Sequence, residues 1–305
     1  MSHPLDGTGR RVYSQNEEDG VLEAIFTRLG VERGYCVDVG AHDGVHLSNT
    51  ANLLRHHRWR GVLIECGADK ARKLRETTRE LEDVRVLETR VALDGADTLD
   101  GLLRGAGAPS SPDLLSIDID GLDYHVWASL EAYAPTVVVI EYNPTIPNHV
   151  RFVQEPDPRL NHGSSLRAFV ELGAHKGYIA AHVTPTNLIA IRRDAARTLG
   201  IPELPLDALH DDRPLMTCLF QGFDGTLFLD GPAELFWQHV PIDVEKIQIV
   251  PRFLRRYQPD LPRAMRVLRA GWIASYLLRR PAFWPVLRDK VARGLRGTKP
   301  PPPRF

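Results

Sequence analysis

Short apolar runs with an acidic residue at or near the end recur through the first half of the chain. They lie at residues 35–39, 61–65, 84–89, 114–118 and 137–141. Each run is rich in aliphatic residues and is bounded by polar or turn residues, which predicts strands buried on both faces of a parallel sheet. Because the carboxyl ends of parallel strands lie along one edge, we expect the acids to gather where open α/β sheets bind ligands.

Helical periodicity and turn residues fill the intervals between these runs. Residues 14–30 predict a helix with Ser14 as its N-terminal cap and an apolar stripe toward the sheet. Residues 69–82 predict a charged helix on the outside of the sheet, and the Gly- and Pro-rich residues 105–112 predict a loop. Residues 143–163 form a long polar segment after the fifth run. A loop of this length at the ligand edge is a candidate lid over an acceptor.

The turn after the first run combines two glycines with two acids. Gly40 and Gly44 let the backbone turn sharply and come close to a ligand, and Asp38 and Asp43 lie beside them. The spacing lacks the three glycines of the dinucleotide fingerprint, and two carboxylates would repel a phosphate. They suit a ligand with a positive charge or hydroxyl groups, such as S-adenosylmethionine. Glu65, at the end of the second run, suits the hydroxyls of a ribose.

Taken in order, these and other motifs resemble those of the FkbM-type S-adenosylmethionine-dependent methyltransferases. The resemblance lies in residues 13–20 (YSQNEEDG), 37–44 (VDVGAHDG), 64–65 (IE), 115–123 (LSIDIDGLD) and a segment from 164 to 194. It covers roughly residues 11–195. It implies a class I methyltransferase (Rossmann-like) α/β fold with a mostly parallel seven-stranded sheet, helices on both faces, and S-adenosylmethionine as the methyl donor.

The resemblance also implies roles for individual residues. Asp38, Gly40 and Asp43 would line the methionine part of the cofactor. Glu65 would bind the ribose hydroxyls, and Asp118 would lie beside the reacting methyl group as a catalytic residue. Gln15 would cover the cofactor together with the two residues before it. For that segment, a helix cap with an apolar staple is the alternative.

Oxygen-bearing side chains at the ends of the fourth and fifth runs form a candidate catalytic group. Members of the family often carry a lysine before the fourth-strand acid and a glutamate two residues after it, where this chain has Ser116 and the shorter Asp120. A sugar hydroxyl is a weak acid, so methyl transfer to it needs a general base, a metal ion or both. The candidate ligands for a divalent cation such as Mg²⁺ are Asp118, Asp120, Glu141 and Asn143. Capping of the following helix is the alternative for Asp120 and Asp123.

Histidines are the other candidate bases. His149 is the preferred one, because it follows the fifth run, where acceptors bind in such folds. His42, His46, His125 and His162 lie near the other predicted turns and loops. Any one of them alone is more often a surface residue than a catalyst.

The length and composition predict a catalytic body with an appendage. At 305 residues, with 43% hydrophobic and 25% charged residues, the chain has the composition of a globular protein. We predict a methyltransferase domain at residues 1–200 and an extension at residues 201–305. The three cysteines are widely spaced and form no metal pattern. Cys36 and Cys66 lie in or beside predicted strands, which predicts buried thiols and a cytoplasmic location.

Charge is distributed unevenly along the chain. The net charge is −1, yet residues 251–305 hold 14 of the 38 basic residues and two of the 39 acids. That segment therefore carries +12 and the remainder −13. Residues 262–280 predict a basic amphipathic helix with Trp272 and Tyr276 among its apolar residues, a composition typical of helices that lie on a membrane surface. Packing against the acidic body is the alternative.

The last residues limit the possible partners of this tail. Phe283 and Trp284 follow the predicted helix, and the prolines at positions 281 and 285 disfavour a nucleic-acid-binding arm. Residues 300–305 are expected to be disordered. We therefore expect peripheral contact with the inner membrane face rather than with nucleic acid.

Together the patterns predict a methyltransferase that acts on oxygen, with a small-molecule or glycan acceptor such as a hydroxyl of a sugar or glycolipid. Two alternatives stay open. One is the same chemistry on a secondary metabolite or a protein. The other is a non-catalytic cofactor-binding module whose basic tail recruits a partner.

Overall fold

The computed structural model describes residues 3–280 together with residues 284, 285, 288 and 292. The chain divides into two units, residues 1–216 and residues 217–305. Pro281, Phe283 and the end predicted to be disordered lie outside the described residues.

Strands and helices alternate along the first unit. Its elements are α1 (Glu18–Arg28), β1 (Tyr35–Val39), α2 (Ala51–His56), β2 (Arg60–Glu65), α3 (Ala68–Thr78), β3 (Val84–Glu88), α4 (Leu99–Ala106), β4 (Leu114–Ile117), α5 (Asp123–Ser129), β5 (Val137–Glu141), α6 (Leu166–His175), β6 (Tyr178–Val183), β7 (Asn187–Arg192), α7 (Arg193–Leu199) and α8 (Leu206–Leu209).

All seven strands join in one sheet with the order β3-β2-β1-β4-β5-β7-β6. The neighbours from β3 to β5 pair in parallel, and β7 runs antiparallel to both β5 and β6. The predicted mostly parallel seven-stranded sheet is therefore confirmed. Each of the five apolar runs forms a strand within one or two residues of its predicted bounds.

The sheet is buried on both faces because alternate side chains of each strand point to opposite sides. On one face, Cys36 and Leu63 pack in a cluster with the apolar stripe of α1. On the other face, Val37 and Val62 pack in a cluster that includes Trp127 of α5. The first unit is thus a sheet between two layers of helices.

The centre of the sheet contains a reversal of strand order. The chain runs outward from β1 through β2 to β3, then returns to place β4 on the other side of β1. Such a switch point opens a crevice at the carboxyl ends of the two central strands. There the N–H of Asp118 donates to the carbonyl of Val39 (2.9 Å). A Cβ at Gly40 would overlap the carbonyl oxygen of Asp118, so only glycine permits this approach.

The first helix begins later than predicted. It starts at Glu18, and Ser14 is not its N-terminal cap. Asp19 Oδ2 accepts hydrogen bonds from the backbone N–H groups of Val12, Tyr13 and Ser14 and from the Ser14 hydroxyl. These bonds fold residues 12–14 back over the start of the helix, and Ser14 forms a parallel bridge with Leu47.

The charged helix α3 is shorter than the predicted 69–82 and ends at Thr78. The Thr78 hydroxyl donates to the carbonyl of Leu74 (2.6 Å), and the Thr77 hydroxyl donates to the carbonyl of Asp43 (2.5 Å). These side-chain bonds and two consecutive β-branched residues disfavour a further helical turn.

The second unit contains hairpins and a basic helix. Its elements are β8 (Cys218–Gln221), β9 (Leu227–Asp230), β10 (Glu234–Leu235), β11 (Val240–Pro241), α9 (Val244–Ile247), two short 3-10 turns (Arg252–Leu254 and Gln258–Asp260) and α10 (Arg263–Leu278). The predicted basic amphipathic helix is present as α10. None of the helices in the described part of the chain has both the length and the hydrophobicity needed to cross a lipid bilayer.

Candidate active site

A cavity of about 350 Å³ lies at the carboxyl ends of β1, β2, β4 and β5. The proposed cofactor-binding residues that line it are Gln15, Asp38, Gly40, Glu65 and Asp118. Asp120 and Glu141 of the candidate metal set line it as well. The parallel strands thus bring acids that are far apart in sequence to one cavity at the switch point.

Asp38 is a buried carboxylate with one strong neutral partner. The Thr50 hydroxyl donates to its Oδ2 (2.6 Å). Burial raises the pKa of Asp38 to about 6, although this hydrogen bond lowers it, and the charge of Glu65 adds to the rise. A buried carboxylate paired only with a hydroxyl attracts a cationic group of a ligand.

Glu65 is held by the backbone at the end of β2. The N–H of His42 donates to its Oε2 (3.0 Å), and the N–H of Gly67 donates to its Oε1 (2.7 Å). His42 makes this contact from a left-handed conformation, with φ of 51°. Each carboxylate oxygen keeps a lone pair for a hydroxyl donor, so the fixed Glu65 can bind a diol.

Asn49 is a cavity residue that the sequence analysis missed. It is only 6% exposed, and its Nδ2 donates to the hydroxyl of Ser116 (3.2 Å). Its Oδ1 is buried without a hydrogen-bond partner among the described residues. A buried acceptor without a partner is costly, and a donor on a ligand would remove that cost. Asn49 lies in the loop before α2, where no sequence motif marked it.

Asp118 and Glu141 form an acid pair across the ends of β4 and β5. Burial, followed by the negative charges of Asp123 and Asp120, raises the pKa of Asp118. Burial and the charge of Asp118 raise the pKa of Glu141. Carboxylate oxygens of the two groups lie within 4.8 Å of each other, so their negative charges repel and the pair favours a state with one shared proton. One carboxylate of the pair therefore remains available as a base near neutral pH.

The turn after β4 places Asp120 beside this pair. Asp120 has a left-handed backbone with φ of 58°. Asp123 fixes the turn, because it accepts hydrogen bonds from the N–H groups of Ile119 (2.9 Å) and Gly121 (2.8 Å). Oxygens of Asp118, Asp120 and Glu141 lie within 4.8 Å of one another. Helix capping does not explain Asp120 or Asp123, since the N-terminal cap of α5 is Leu122 and Asp123 accepts from N–H groups that precede the helix.

Three predicted site residues lie outside the cavity lining. Asp43 Oδ1 accepts hydrogen bonds from the N–H groups of Val45 and His46, so it shapes the glycine turn instead of facing the cavity. Asn143 Oδ1 accepts from the N–H and the hydroxyl of Thr145, so its oxygen is already engaged. His149 is exposed and does not line the cavity.

The candidate lid forms one wall of the cavity. No helix or strand lies between β5 and α6, and Pro158, Leu160 and Asn161 line the cavity from this loop. Gln154, which is 1% exposed, organises the loop. Its side chain accepts from the N–H groups of His162 and Gly163 and donates to the carbonyl of Leu160. The sequence analysis missed Gln154, because a single glutamine in a polar segment gives no signal.

The N-terminal segment and the end of β2 complete the lining. Gln15 lies next to the Ser14–Leu47 bridge, and its Oε1 is 3.3 Å from the Thr186 hydroxyl. Of the two cysteines expected to be buried, Cys36 is buried, whereas the prediction for Cys66 is wrong: it is exposed and lines the cavity. Cys66 follows the last residue of β2, where the sheet no longer covers it.

No protein-family model matches the sequence, and a search of curated proteins gives no match. Among solved structures, the chain is similar to the CurJ carbon methyltransferase (11% identity, 59% of this chain and 56% of that chain, TM-score 0.39). The chain therefore spans just over half the length of that structure.

Two further solved structures are similar over most of their own length. One is the precorrin-6y C5,15-methyltransferase of Geobacter metallireducens GS-15 (16% identity, 61% of this chain and 92% of that chain, TM-score 0.35). The other is the N-terminal domain of EvdMO1 in the presence of SAH and D-fucose (10% identity, 62% of this chain and 92% of that chain, TM-score 0.38). The strand order and the antiparallel β7 are those of the class I methyltransferase (Rossmann-like) fold.

Proposed function

We propose that this protein is an FkbM-type, S-adenosylmethionine-dependent methyltransferase that methylates a hydroxyl of a sugar or glycolipid. The observation that carries the proposal is the division of the acids in the cavity. Asp38 and Glu65 lie at the ends of β1 and β2, and the Asp118–Glu141 pair lies at the ends of β4 and β5. The first two suit a donor with an ammonium and a ribose, and the pair suits a hydroxyl acceptor.

The residues of the cavity fit the donor. Asp38 and the free Oδ1 of Asn49 would accept hydrogen bonds from the ammonium group. Glu65 would accept from the ribose hydroxyls, because two backbone N–H groups already hold it in one orientation. Gln15 would cover the donor from the segment before α1. Lys70 and Arg90 line the cavity but are exposed, so no buried cation opposes a positively charged ligand.

When bound, S-adenosylmethionine would supply an electrophilic methyl group, whose bond to the positively charged sulfur breaks as the acceptor oxygen bonds to the methyl carbon, with neutral S-adenosylhomocysteine as the leaving group. The chain must align the acceptor and remove its proton. The Asp118–Glu141 pair would accept that proton, because its raised pKa makes it a stronger base than an ordinary carboxylate. Pro158, Leu160 and Asn161 of the loop would form the acceptor side of the cavity. His149 has no part in this mechanism.

A divalent cation is the second candidate role for the same acids. Mg²⁺ holds oxygens at about 2.1 Å, so adjacent ligands lie about 3 Å apart, and the three carboxylates need only a small movement to reach that spacing. A cation would replace the shared proton, and Asn143 would not join the ligand set. Titration calorimetry with MgCl₂ tests this role. Binding to the intact protein that is lost in Asp120→Asn would support a metal site. Absence of binding to the intact protein would exclude the metal and leave the Asp118–Glu141 pair as the base.

Donor binding is tested by calorimetric titration with S-adenosylhomocysteine. We expect micromolar binding to the intact protein and at least about tenfold weaker binding to Glu65→Ala, which loses hydrogen bonds to a charged group. Glu88→Ala is the matched control, because Glu88 pairs with Glu65 in the strand register but is exposed and outside the cavity lining. Absence of binding to the intact protein would overturn the proposal.

Catalysis is tested by transfer of a labelled methyl group to a panel of sugars and glycolipids. Asp118→Asn should retain binding of S-adenosylhomocysteine and lose at least about a hundredfold in transfer rate, as expected for removal of a general base. Transfer at an unchanged rate would remove Asp118 from the mechanism. Donor binding without transfer to any acceptor would favour a non-catalytic module.

A further inference from the structure

The hairpin of β8 and β9 carries an aromatic tip that the described structure leaves exposed. Phe223 lies in the turn between the strands and is 94% exposed. Its ring contacts that of Tyr257 (centroid distance 6.5 Å), which is itself exposed. Behind the tip, Phe220 and Phe228 stack across the hairpin at 5.3 Å, and each is about half exposed. Four aromatic rings thus lie on a single hairpin and the segment beside it.

Arg269 lies beside the turn of this tip, and Arg256 precedes Tyr257 in the chain. A Cβ at Gly225 in the turn would lie 3.2 Å from Nη2 of Arg269 in α10. The Arg269 guanidinium also donates to the carbonyl of Arg256, next to Tyr257 (3.1 Å). Arg255 pairs with Glu245, whereas no carboxylate of the described residues lies within ion-pair distance of Arg256 or Arg269. The acid in the turn, Asp224, accepts hydrogen bonds from Thr226.

The helix α10 is likewise basic and exposed. None of the 16 residues of α10 is buried, and the helix contains no acid. Residues 251–280 hold eight arginines and a single acid, Asp260. Val267 and Leu268 are more than half exposed between the arginines. Exposed apolar groups alone would fit many partners, but together with this charge they match an apolar layer behind a negatively charged surface.

We propose that the aromatic tip (Phe223 and Tyr257) and the arginines around it bind the surface of a membrane that contains anionic lipids. The phenylalanine would enter the interface between headgroups and acyl chains, and the arginines would contact lipid phosphates. This binding is independent of the proposed methyl transfer. For a glycolipid acceptor, it would hold the enzyme at the membrane that contains its substrate.

Flotation of the full-length protein with vesicles tests the proposal. Vesicles of equal parts phosphatidylcholine and phosphatidylglycerol should carry the protein, and vesicles of phosphatidylcholine alone should not. Added salt should release it, because salt screens the charges. Phe223→Ser should weaken binding at least about tenfold, Phe223→Trp should retain it, and Arg256→Glu should weaken it about fivefold or more.

Trp237→Ser is the matched control. Trp237 is an exposed aromatic residue of the same unit, outside the hairpin tip, so this variant should bind within a factor of two of the parent. Equal losses in Trp237→Ser and Phe223→Ser would overturn the assignment to the hairpin tip. Binding to a duplex DNA oligonucleotide but not to anionic vesicles would overturn the lipid partner. Unchanged affinity for S-adenosylhomocysteine in each variant separates this result from the donor site.

Discussion

Asp38 shows how one buried carboxylate can make donor binding depend on pH. Its partner is the Thr50 hydroxyl (2.6 Å), and its pKa is raised to about 6 by burial. The carboxylate form, which a cationic ligand needs, is therefore lost as the pH falls through about 6. Burial disfavours the charged form, which is why this loss occurs at a higher pH than it would for an exposed aspartate.

We expect the affinity for S-adenosylhomocysteine to fall about tenfold per pH unit below pH 6, because each binding event must then release a proton from Asp38. Asp38→Asn should bind more weakly at pH 7 and should lose this pH dependence. Calorimetry across about pH 4.5–7.5, roughly 1.5 units on either side of the pKa of Asp38, measures both effects. Asp69→Asn, an exposed acid at the start of α3, should keep the parental slope. If the affinity of Asp38→Asn depends on pH as steeply as that of the parent, a group other than Asp38 releases the proton on binding.

Gly40 provides the second test at the level of single residues. Its φ is +92°, and a Cβ would overlap the carbonyl of Asp118. Gly40→Ala should lower the free energy of unfolding by more than about 3 kcal/mol, because the cost of a left-handed alanine adds to that of separating β1 from β4. Gly107→Ala is the control: it also has positive φ but nothing within 4 Å, so about 1–2 kcal/mol is expected. Urea denaturation measures both, and equal losses would exclude a steric role for Gly40.

At the level of elements, two segments without regular structure complete a site that the strands begin. Residues 12–15 fold back through the hydrogen bonds to Asp19 and place Gln15 at the cavity. The loop between β5 and α6 is fixed from within by Gln154 and from outside by His125, whose Nε2 donates to the Gln154 carbonyl (2.7 Å). Gly121 makes room for Gln154, so the loop and the turn that carries Asp120 depend on each other.

Gln154→Leu should loosen this loop without changing the donor site. The substitution removes three hydrogen bonds to backbone groups of His162, Gly163 and Leu160, which are partly or largely exposed, at a cost of about 1–3 kcal/mol in unfolding free energy. Hydrogen exchange of residues 155–163 should become faster while the affinity for S-adenosylhomocysteine stays within about twofold. Arg159→Ala, which removes an exposed ion pair in the same loop, should change neither. If hydrogen exchange of residues 155–163 is unchanged in Gln154→Leu, Gln154 does not hold this loop in place.

At the level of the whole molecule, burial and charge separate along the chain. The two hydrophobic clusters that flank the sheet draw their described residues from the first unit alone. The second unit exposes large apolar side chains and holds the basic segment. This division places the proposed donor site and the proposed catalytic acids in the first unit, and the proposed membrane contact in the second.

A fragment of residues 1–216 should therefore fold and bind S-adenosylhomocysteine with the affinity of the full chain, because it contains both clusters and every residue that lines the cavity. The same fragment should fail to float with anionic vesicles. Circular dichroism, calorimetry and flotation measure these properties. A fragment that is unfolded, or that still binds vesicles, would contradict the separation.

The sequence by itself determined the strands and the edge at which their acids lie. The short apolar runs are buried on both faces of the sheet. Because nearly every side chain of such a strand must be apolar, the strand leaves a continuous run of aliphatic residues in the sequence. Asp38, Glu65, Asp118 and Glu141 could be found because each lies at or near the end of such a run. The helix α10 was also predictable, since its arginines and apolar residues repeat with helical spacing.

Only the tertiary structure decided which polar residues of the turns and loops line the cavity or hold the loop that forms its wall. Asn49 and Gln154 owe their positions to partners distant in sequence or to loop hydrogen bonds, which leave no periodic pattern. For the same reason Ser14 bonds to Asp19 and Leu47 rather than capping a helix, and the oxygen of Asn143 is engaged by Thr145. Strand burial is a local, repeated constraint, whereas the direction of a single polar side chain depends on the complete fold.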